Sequence, residues 1–323
     1  MAAQAVYVGI DTSNYTTSLC VVDAVGEVVF EDRRLLKVPV GSRGLQQSDA
    51  LFQHMVRLPD HLVAMRDALA QRPIRAVGVS SKPRPQLESY MPVFMPGVLA
   101  AQSLAVGAGA RLWETTHQEG HIAAAVASAG LFVENERPFL VYHLSGGTTD
   151  LLWVKKQACG YEIRGVLTGL DLHVGQFVDR IGVAMGLPFP AGAQLEGLAA
   201  GAADGIPSLP SAIREGRPSF SGPLTAAEKL LAQGVPKEQV AASVFRVIAN
   251  TLEKSVRYAM LHTGVERILF VGGVASNLLI RRRLRQRFGE ATGDGTRLFF
   301  CDPKRATDNA YGVALIAREC EQR

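Results

Sequence analysis

Residues 139–154 read Phe139-Leu140-Val141-Tyr142-His143-Leu144-Ser145-Gly146-Gly147-Thr148-Thr149-Asp150-Leu151-Leu152-Trp153-Val154. Two apolar runs flank a turn of glycine and hydroxyl residues, which predicts strand, turn, strand. Gly160 marks a further turn, and Tyr161–Leu167 completes a meander. The same pattern stands earlier in the chain, offset by about 130 residues. There Val6–Ile10 runs into Asp11-Thr12-Ser13-Asn14, Thr17–Val22 resumes, Gly26 turns the chain and Val28–Leu36 follows. Helical and further strand segments follow each copy, so the chain is expected to be a duplicated α/β unit. The expected bounds are residues 1–130 for the first lobe and 138–306 for the second. Ser128–Pro138 is the hinge, and a last helix at about 307–323 packs back on the first lobe.

The two turns carry matched chemistry. Thr12, Ser13, Asn14 and Thr16 offer hydroxyls and an amide, while Gly146 and Gly147 let backbone N–H groups approach a ligand closely. Facing each other across a cleft, such turns would grip a phosphate chain from both sides. One such turn is commonplace; its duplication gives it weight.

A hydrophobic fraction of 47% in 323 residues is enough for one large or two medium cores. Cys20, Cys159, Cys301 and Cys320 are scattered, with no C-x-x-C pair, which predicts a reducing compartment. Asp11 interrupts the apolar N-terminal stretch before it reaches signal-peptide length. Met91–Ala110 is apolar, but Pro92, Pro96, Gln102 and Ser103 predict a buried loop and helix rather than a membrane span. The expectation is a cytoplasmic protein with no membrane partner. A net charge of +4 leans only weakly toward polyanions. Arg281, Arg282, Arg283, Arg285 and Arg287 read either as contacts to nucleic-acid phosphates or as a solvated helix face.

His117 and His121 stand four apart in Thr115–His121, ahead of an alanine-rich run that favours helix. Residues four apart lie about 40° from each other around a helix, so both imidazoles project from one face. With a third ligand from elsewhere they could hold a divalent transition metal. The plain alternative is two unrelated polar residues facing solvent. A zinc peptidase is excluded, because H-E-x-x-H needs a glutamate directly after the first histidine. Gln118 stands there, and Glu119 lies about 200° from His117 around the axis.

Elsewhere, Leu51–Ala70 reads as a helix, Ile74–Ser80 as a strand and Lys82-Pro83-Arg84-Pro85 as a loop. Gly175–Gly186 is a helix bearing Asp179 and Arg180, and Phe189–Ala193 a loop that opens another. Arg217–Gly222 is again a loop, and long helices run to Thr263. Arg267–Val271 is a buried strand entering Gly272-Gly273-Val274-Ala275-Ser276-Asn277 and the arginine-rich helix. That is either a nucleotide-site geometry or a tight turn with no ligand. Asp308 stands near the start of the last helix, where an acid can simply be a cap.

Eight pieces occur in one order: Gly9-Ile10-Asp11-Thr12-Ser13, His117-x-Glu119-Gly120-His121, Ser145–Thr149, Phe177-Val178-Asp179-Arg180, Phe189–Gly192, Ser219–Gly222, Gly272–Asn277 and Thr307-Asp308-Asn309. Through them the chain resembles the tRNA threonylcarbamoyladenosine transferase family, within the actin, Hsp70 and sugar-kinase superfamily. The resemblance implies a duplicated actin-like ATPase (ASKHA) fold, two lobes with a nucleotide and metal cleft between them. It implies His117, His121 and Asp308 as ligands of one divalent iron or zinc. His143 is either a further ligand or a buried strand histidine. It implies that Ser145, Gly146 and Gly147 hold the phosphate of an acyl-adenylate, ATP or AMP, with Leu144 a further candidate contact. Asp179, Gly192 and Asn277 would surround ribose and adenine, with Thr12, Ser13 and His143 as further contacts. The implied reaction moves a threonylcarbamoyl group from its adenylate to the exocyclic amine of the adenosine beside the anticodon. Implied partners are tRNA, threonylcarbamoyl-AMP, a paralogous subunit and an ATPase. No general base is assigned. Lys82–Gln86 departs from the family's Gly-Pro-Gly-Leu loop, Thr148 from its His or Asn, and Asn14-Tyr15 from its Cys-Asp. A related carbamoyltransferase or kinase, and a non-catalytic nucleotide-binding subunit, are the competing readings.

Overall fold

A computed structural model of the chain describes residues 5–38, 45–69, 71–86, 88–131, 137–289 and 297–323. The first half opens with an antiparallel meander of β1 (Val6–Thr12), β2 (Thr16–Asp23) and β3 (Val28–Leu35). Helix α1 (Gln47–Leu69) leads to β4 (Ile74–Lys82), which pairs parallel to β1. Helix α2 (Met95–Ala108) leads to β5 (Arg111–Thr116), parallel to β4, and α3 (His117–Ala129) follows. The sheet order is β3-β2-β1-β4-β5.

The second half repeats the plan. β6 (Phe139–Leu144), β7 (Thr149–Lys156) and β8 (Tyr161–Thr168) form the meander. Then come α4 (Val174–Ala184), α5 (Gly192–Ala200), the small hairpin β9 (Ala212–Arg214) and β10 (Arg217–Ser219), α6 (Ser221–Ala232) and α7 (Lys237–Thr263). β11 (Arg267–Val271) pairs parallel to β6, α8 (Leu278–Phe288) follows, β12 (Arg297–Phe300) pairs parallel to β11, and α9 (Tyr311–Glu321) closes the chain. From its meander edge this sheet runs β8-β7-β6-β11-β12. The two halves therefore match in strand order and direction, as the repeated pattern predicts.

Every residue of β1 is buried, because helices cover both faces of its sheet. Val6, Val8 and Ile10 face Leu58 and Met65 of α1 and Ala101 and Ala105 of α2. Tyr7, on the alternate face, meets Ala310, Ala314 and Ala317 at α9. A Cβ on Gly9 would lie 2.4 Å from the Ala310 carbonyl oxygen, so α9 rests directly on the strand. In the second sheet, Leu140, Tyr142 and Leu144 face α4 and α7. Phe139 and Val141 face Ile122 and Ala125 of α3 and Ile316 of α9. Helices α3 and α9 are thus shared between the two sheets, and this layer builds the site.

Two expectations are corrected. Thr115 and Thr116 end strand β5 instead of opening the helix, since Thr116 has extended backbone and serves as N-cap. Cys159 and Cys320 form a disulfide across a separation of 161 residues, a pairing that scattered spacing conceals. Residues 132–136 of the expected hinge, and Ala70 at the expected helix end, lie outside the described residues. Met91–Ala110 holds a short 3-10 turn and α2, and among the described residues no helix is long and apolar enough to cross a membrane.

Candidate metal and nucleotide site

Strand β5 delivers His117 as the first residue of α3, and the helix turn brings His121 beside it. A capping box fixes this start: the Glu119 amide donates to Thr116 Oγ1 (3.2 Å), and the Thr116 amide donates to Glu119 Oε2 (3.1 Å). The same oxygen accepts from the hydroxyls of Thr115 (3.0 Å) and Thr116 (2.9 Å), and Oε1 accepts from the Tyr161 amide (3.2 Å). Glu119 is committed to the cap and to the second half, away from the imidazoles.

Asp308 arrives from the turn before α9. It does not cap that helix: the N-cap is Ala310, and no side chain caps it. Two close crossings place it. A Cβ on Gly312 would sit 1.8 Å from the Gly120 carbonyl oxygen, and one on Gly120 would sit 2.9 Å from Val313. Only glycines let α9 and α3 approach this far.

The three donors converge. His117 Nε2 and His121 Nε2 are 3.1 Å apart, and Asp308 Oδ1 is 3.2 Å from His121 Nε2 and 3.5 Å from His117 Nε2. Ligand bonds of about 2.1 Å at angles between 90° and 109° require ligand separations of about 3.0–3.4 Å. Two of the three spacings fall in this range and the third, 3.5 Å, lies just beyond it, so the set of two imidazoles and one carboxylate suits one divalent transition ion. His117 Nδ1 lies 2.9 Å from Asp11 Oδ1, so Nδ1 carries the proton when the ring is neutral and Nε2 keeps its lone pair for a metal. The outer oxygen of Asp308 accepts from Ser13 Oγ (2.9 Å) and Thr16 Oγ1 (3.4 Å).

Without a metal these groups behave as an ion pair. Burial opposes charge on His117, but Asp11 and Asp308 beside it hold its pKa well above the usual histidine range. Burial likewise opposes charge on Asp308, yet His117 and His121 hold its carboxyl well below the usual range. His143 does not join the cluster of three, although its ring centroid is 5.4 Å from that of His121. Burial, with His121 and His117 adding to it, pushes His143 down to about 3.

The glycine turn lies just beyond His143. The Ser145 amide donates to the Thr148 carbonyl (2.9 Å), and the Gly147 amide donates to Ser145 Oγ (3.3 Å). A Cβ on Gly146 or Gly147 would meet nothing within 4 Å, and neither has positive φ. Neither backbone nor packing requires glycine there, so what these residues leave is open approach to the turn. The start of α4 seats against it: a Cβ on Gly175 would lie 2.7 Å from the Gly146 backbone, and the Val174 amide donates to Thr149 Oγ1 (2.9 Å). Leu144 itself is buried, and its carbonyl lies against Gly272, whose φ of +100° only glycine holds comfortably.

Asp179 accepts from the Ala191 amide (2.8 Å) and so holds the loop that ends at Gly192; burial raises its pKa against that hydrogen bond. Asn277 Oδ1 accepts from the Ile280 amide (2.9 Å) and caps α8. Thr12 is fully buried against Gly97, and its Oγ1 has no hydrogen-bond partner among the described residues. The Ser13 hydroxyl is directed at Asp308. Arg281, Arg283, Arg285 and Arg287 are engaged within the protein, while Arg282 is exposed. Arg281 bonds the Ala275 (2.7 Å) and Cys301 (2.6 Å) carbonyls, Arg283 bonds Asn250 (2.8 Å), Arg285 stacks over Phe300 and Arg287 pairs with Glu253 (2.6 Å).

Sequence reasoning missed Asp11. It is wholly buried, with Oδ2 lacking any hydrogen-bond partner. Its signal was visible: an acid near the end of an apolar strand costs desolvation and needs a reason.

A family profile described as tRNA N6-adenosine threonylcarbamoyltransferase matches residues 90–315. A protein of that name from Methanopyrus kandleri is 31% identical over 95% of this chain and 85% of its own. One from Thermus thermophilus is 31% identical over 98% and 92%. Among solved structures, HypF of T. kodakarensis superposes with a TM-score of 0.61 at 12% identity, over 97% of this chain and 47% of that one. The activator of 2-hydroxyisocaproyl-CoA dehydratase from Clostridium difficile gives 0.53 at 15% identity, over 98% and 96%. At such identities the likeness speaks to fold alone, and it is the actin-like ATPase fold. The chain therefore belongs to the tRNA N6-adenosine threonylcarbamoyltransferase family, a family of transferases and not of peptidases.

Proposed function

We propose that the protein transfers the threonylcarbamoyl group of threonylcarbamoyl-AMP to the exocyclic amine of the adenosine next to the anticodon, in tRNAs reading codons that start with A. The observation that carries this reading is the convergence of His117, His121 and Asp308 beside His143, which stands two residues before the Ser145–Thr149 turn. A divalent iron or zinc ion held by those three would supply Lewis acidity toward a carbamoyl carbonyl. Asp11 orients His117, and Ser13 and Thr16 hold the outer oxygen of Asp308. The Gly146 and Gly147 amides would bind the phosphate of the leaving AMP. Asp179, Gly192 and Asn277 would frame the ribose and adenine.

The reading divides the chain into lobes of residues 1–130, with the C-terminal helix of about 307–323, and 138–306. It places the protein in the cytoplasm with tRNA, and it includes a paralogous subunit and an ATPase as partners. The test is incubation with threonylcarbamoyl-AMP and unmodified tRNA, with and without those partners, followed by nucleoside analysis. Threonylcarbamoyladenosine in the digest is the expected result. Its absence under every condition, with the metal centre intact, would overturn the reading in favour of a nucleotide-binding subunit.

A further inference from the structure

We propose that His54 is a positioning residue for the metal centre, tying helix α1 to Asp308 through the β1–β2 turn. His54 is fully buried on α1 and reaches Asp308 by way of Ser13. Its Nε2 lies 2.8 Å from the Ser13 carbonyl oxygen, and its Nδ1 lies 2.8 Å from Thr17 Oγ1. A carbonyl oxygen can only accept, so Nε2 carries the proton and Nδ1 of the neutral ring accepts from the Thr17 hydroxyl. One tautomer satisfies both contacts, and burial, which lowers the pKa of this ring, favours the neutral form.

The ring therefore grips the turn at both ends, at Ser13 and at Thr17. Between these points the turn presents Ser13 Oγ and Thr16 Oγ1 to Asp308 Oδ2, at 2.9 and 3.4 Å. With that oxygen held, Oδ1 is left to the two imidazoles. Apolar packing of α1 does not need an imidazole here, since Leu58, Met65 and Leu69 already bury that helix against the sheet. A ring of similar size without nitrogen would fill the space and leave a buried carbonyl and a buried hydroxyl unpaired. The inference rests on His117, His121 and Asp308 forming one metal site.

The test is Co(II) titration of the full chain, read by affinity and by the visible absorption of the bound ion. His54→Phe is expected to weaken Co(II) by up to about tenfold, the low end of the range for partners bonded directly to a ligand because His54 acts one contact further out, and to shift the absorption band. Thr17→Val keeps side-chain volume and removes one contact; it carries the test should His54→Phe not fold, and is expected to shift the band in the same direction. Ser13→Ala combined with His54→Phe is expected to be little worse than Ser13→Ala alone, because both act through one chain of contacts. Folded variants with wild-type affinity and spectrum, or fully additive losses, would overturn the proposal while leaving the metal site standing. Failure of the wild-type chain to bind Co(II) at all would overturn the metal reading and this proposal with it.

Discussion

At the residue scale, the site depends on how Asp308 and His117 divide their polar atoms. Asp308 divides its oxygens between hydroxyls and imidazoles, and His117 divides its nitrogens between Asp11 and the cluster. In the metal-free protein, His117 keeps its proton above the ordinary histidine range, with Asp11 and Asp308 as the raising groups. A metal must displace that proton, so affinity is expected to rise with pH until the raised pKa is passed, by about tenfold per unit for one proton. Asp308 is already ionised throughout this window and adds no slope. Zinc titrations across a pH series, with proton release followed in weak buffer, check this; a flat profile contradicts it. Asp11→Asn is expected to lower the His117 pKa, read by NMR of the metal-free chain, and to weaken metal about 10- to 100-fold. Of these residues, the histidine pair was legible because helical periodicity fixes which side chains share a face. For Asp11 a buried acid was legible but its role was not, because its partner lies 106 residues away and no local pattern encodes that meeting.

At the scale of elements, the crossing of α3 and α9 sets the metal geometry. Gly312→Ala would force a methyl toward the Gly120 carbonyl, which backbone cannot yield without displacing α9. A loss of about 3 kcal/mol in stability is expected, within the range of core overpacking, with a matching fall in metal content. Gly146→Ala is the contrast. It meets open space, so the melting temperature should barely move while affinity for AMP falls. Denaturant melts and nucleotide titrations of the two variants separate these outcomes, and a strongly destabilised Gly146→Ala would contradict the open-turn account. The meanders were legible because apolar runs in their first two strands are punctuated by turns. Strands β5 and β12 were not: each sits at a sheet edge, and their exposure mixes along the strand without a clean period.

For the whole molecule, duplication is what the sequence announces and convergence is what it hides. Matching strand orders follow from repeated patterning, whereas the Cys159–Cys320 disulfide joins a β7–β8 turn to α9 across 161 residues. Lys156 and Glu319 pair beside it, and Arg84 reaches from the first half to Asp150 in the second (3.2 Å). By the loop-closure model, a crosslink of that span contributes about 5 kcal/mol, so reductant or Cys159→Ser should lower the denaturant midpoint markedly. An unchanged midpoint would mean that the bond adds no stability. The central claim, that ligands from both ends of the chain make one metal centre, is tested most directly by counting metal. Elemental analysis of the purified wild type, His117→Ala and Asp308→Ala is expected to give one iron or zinc per wild-type chain and almost none in either variant. Stoichiometric metal retained by folded Asp308→Ala would contradict it.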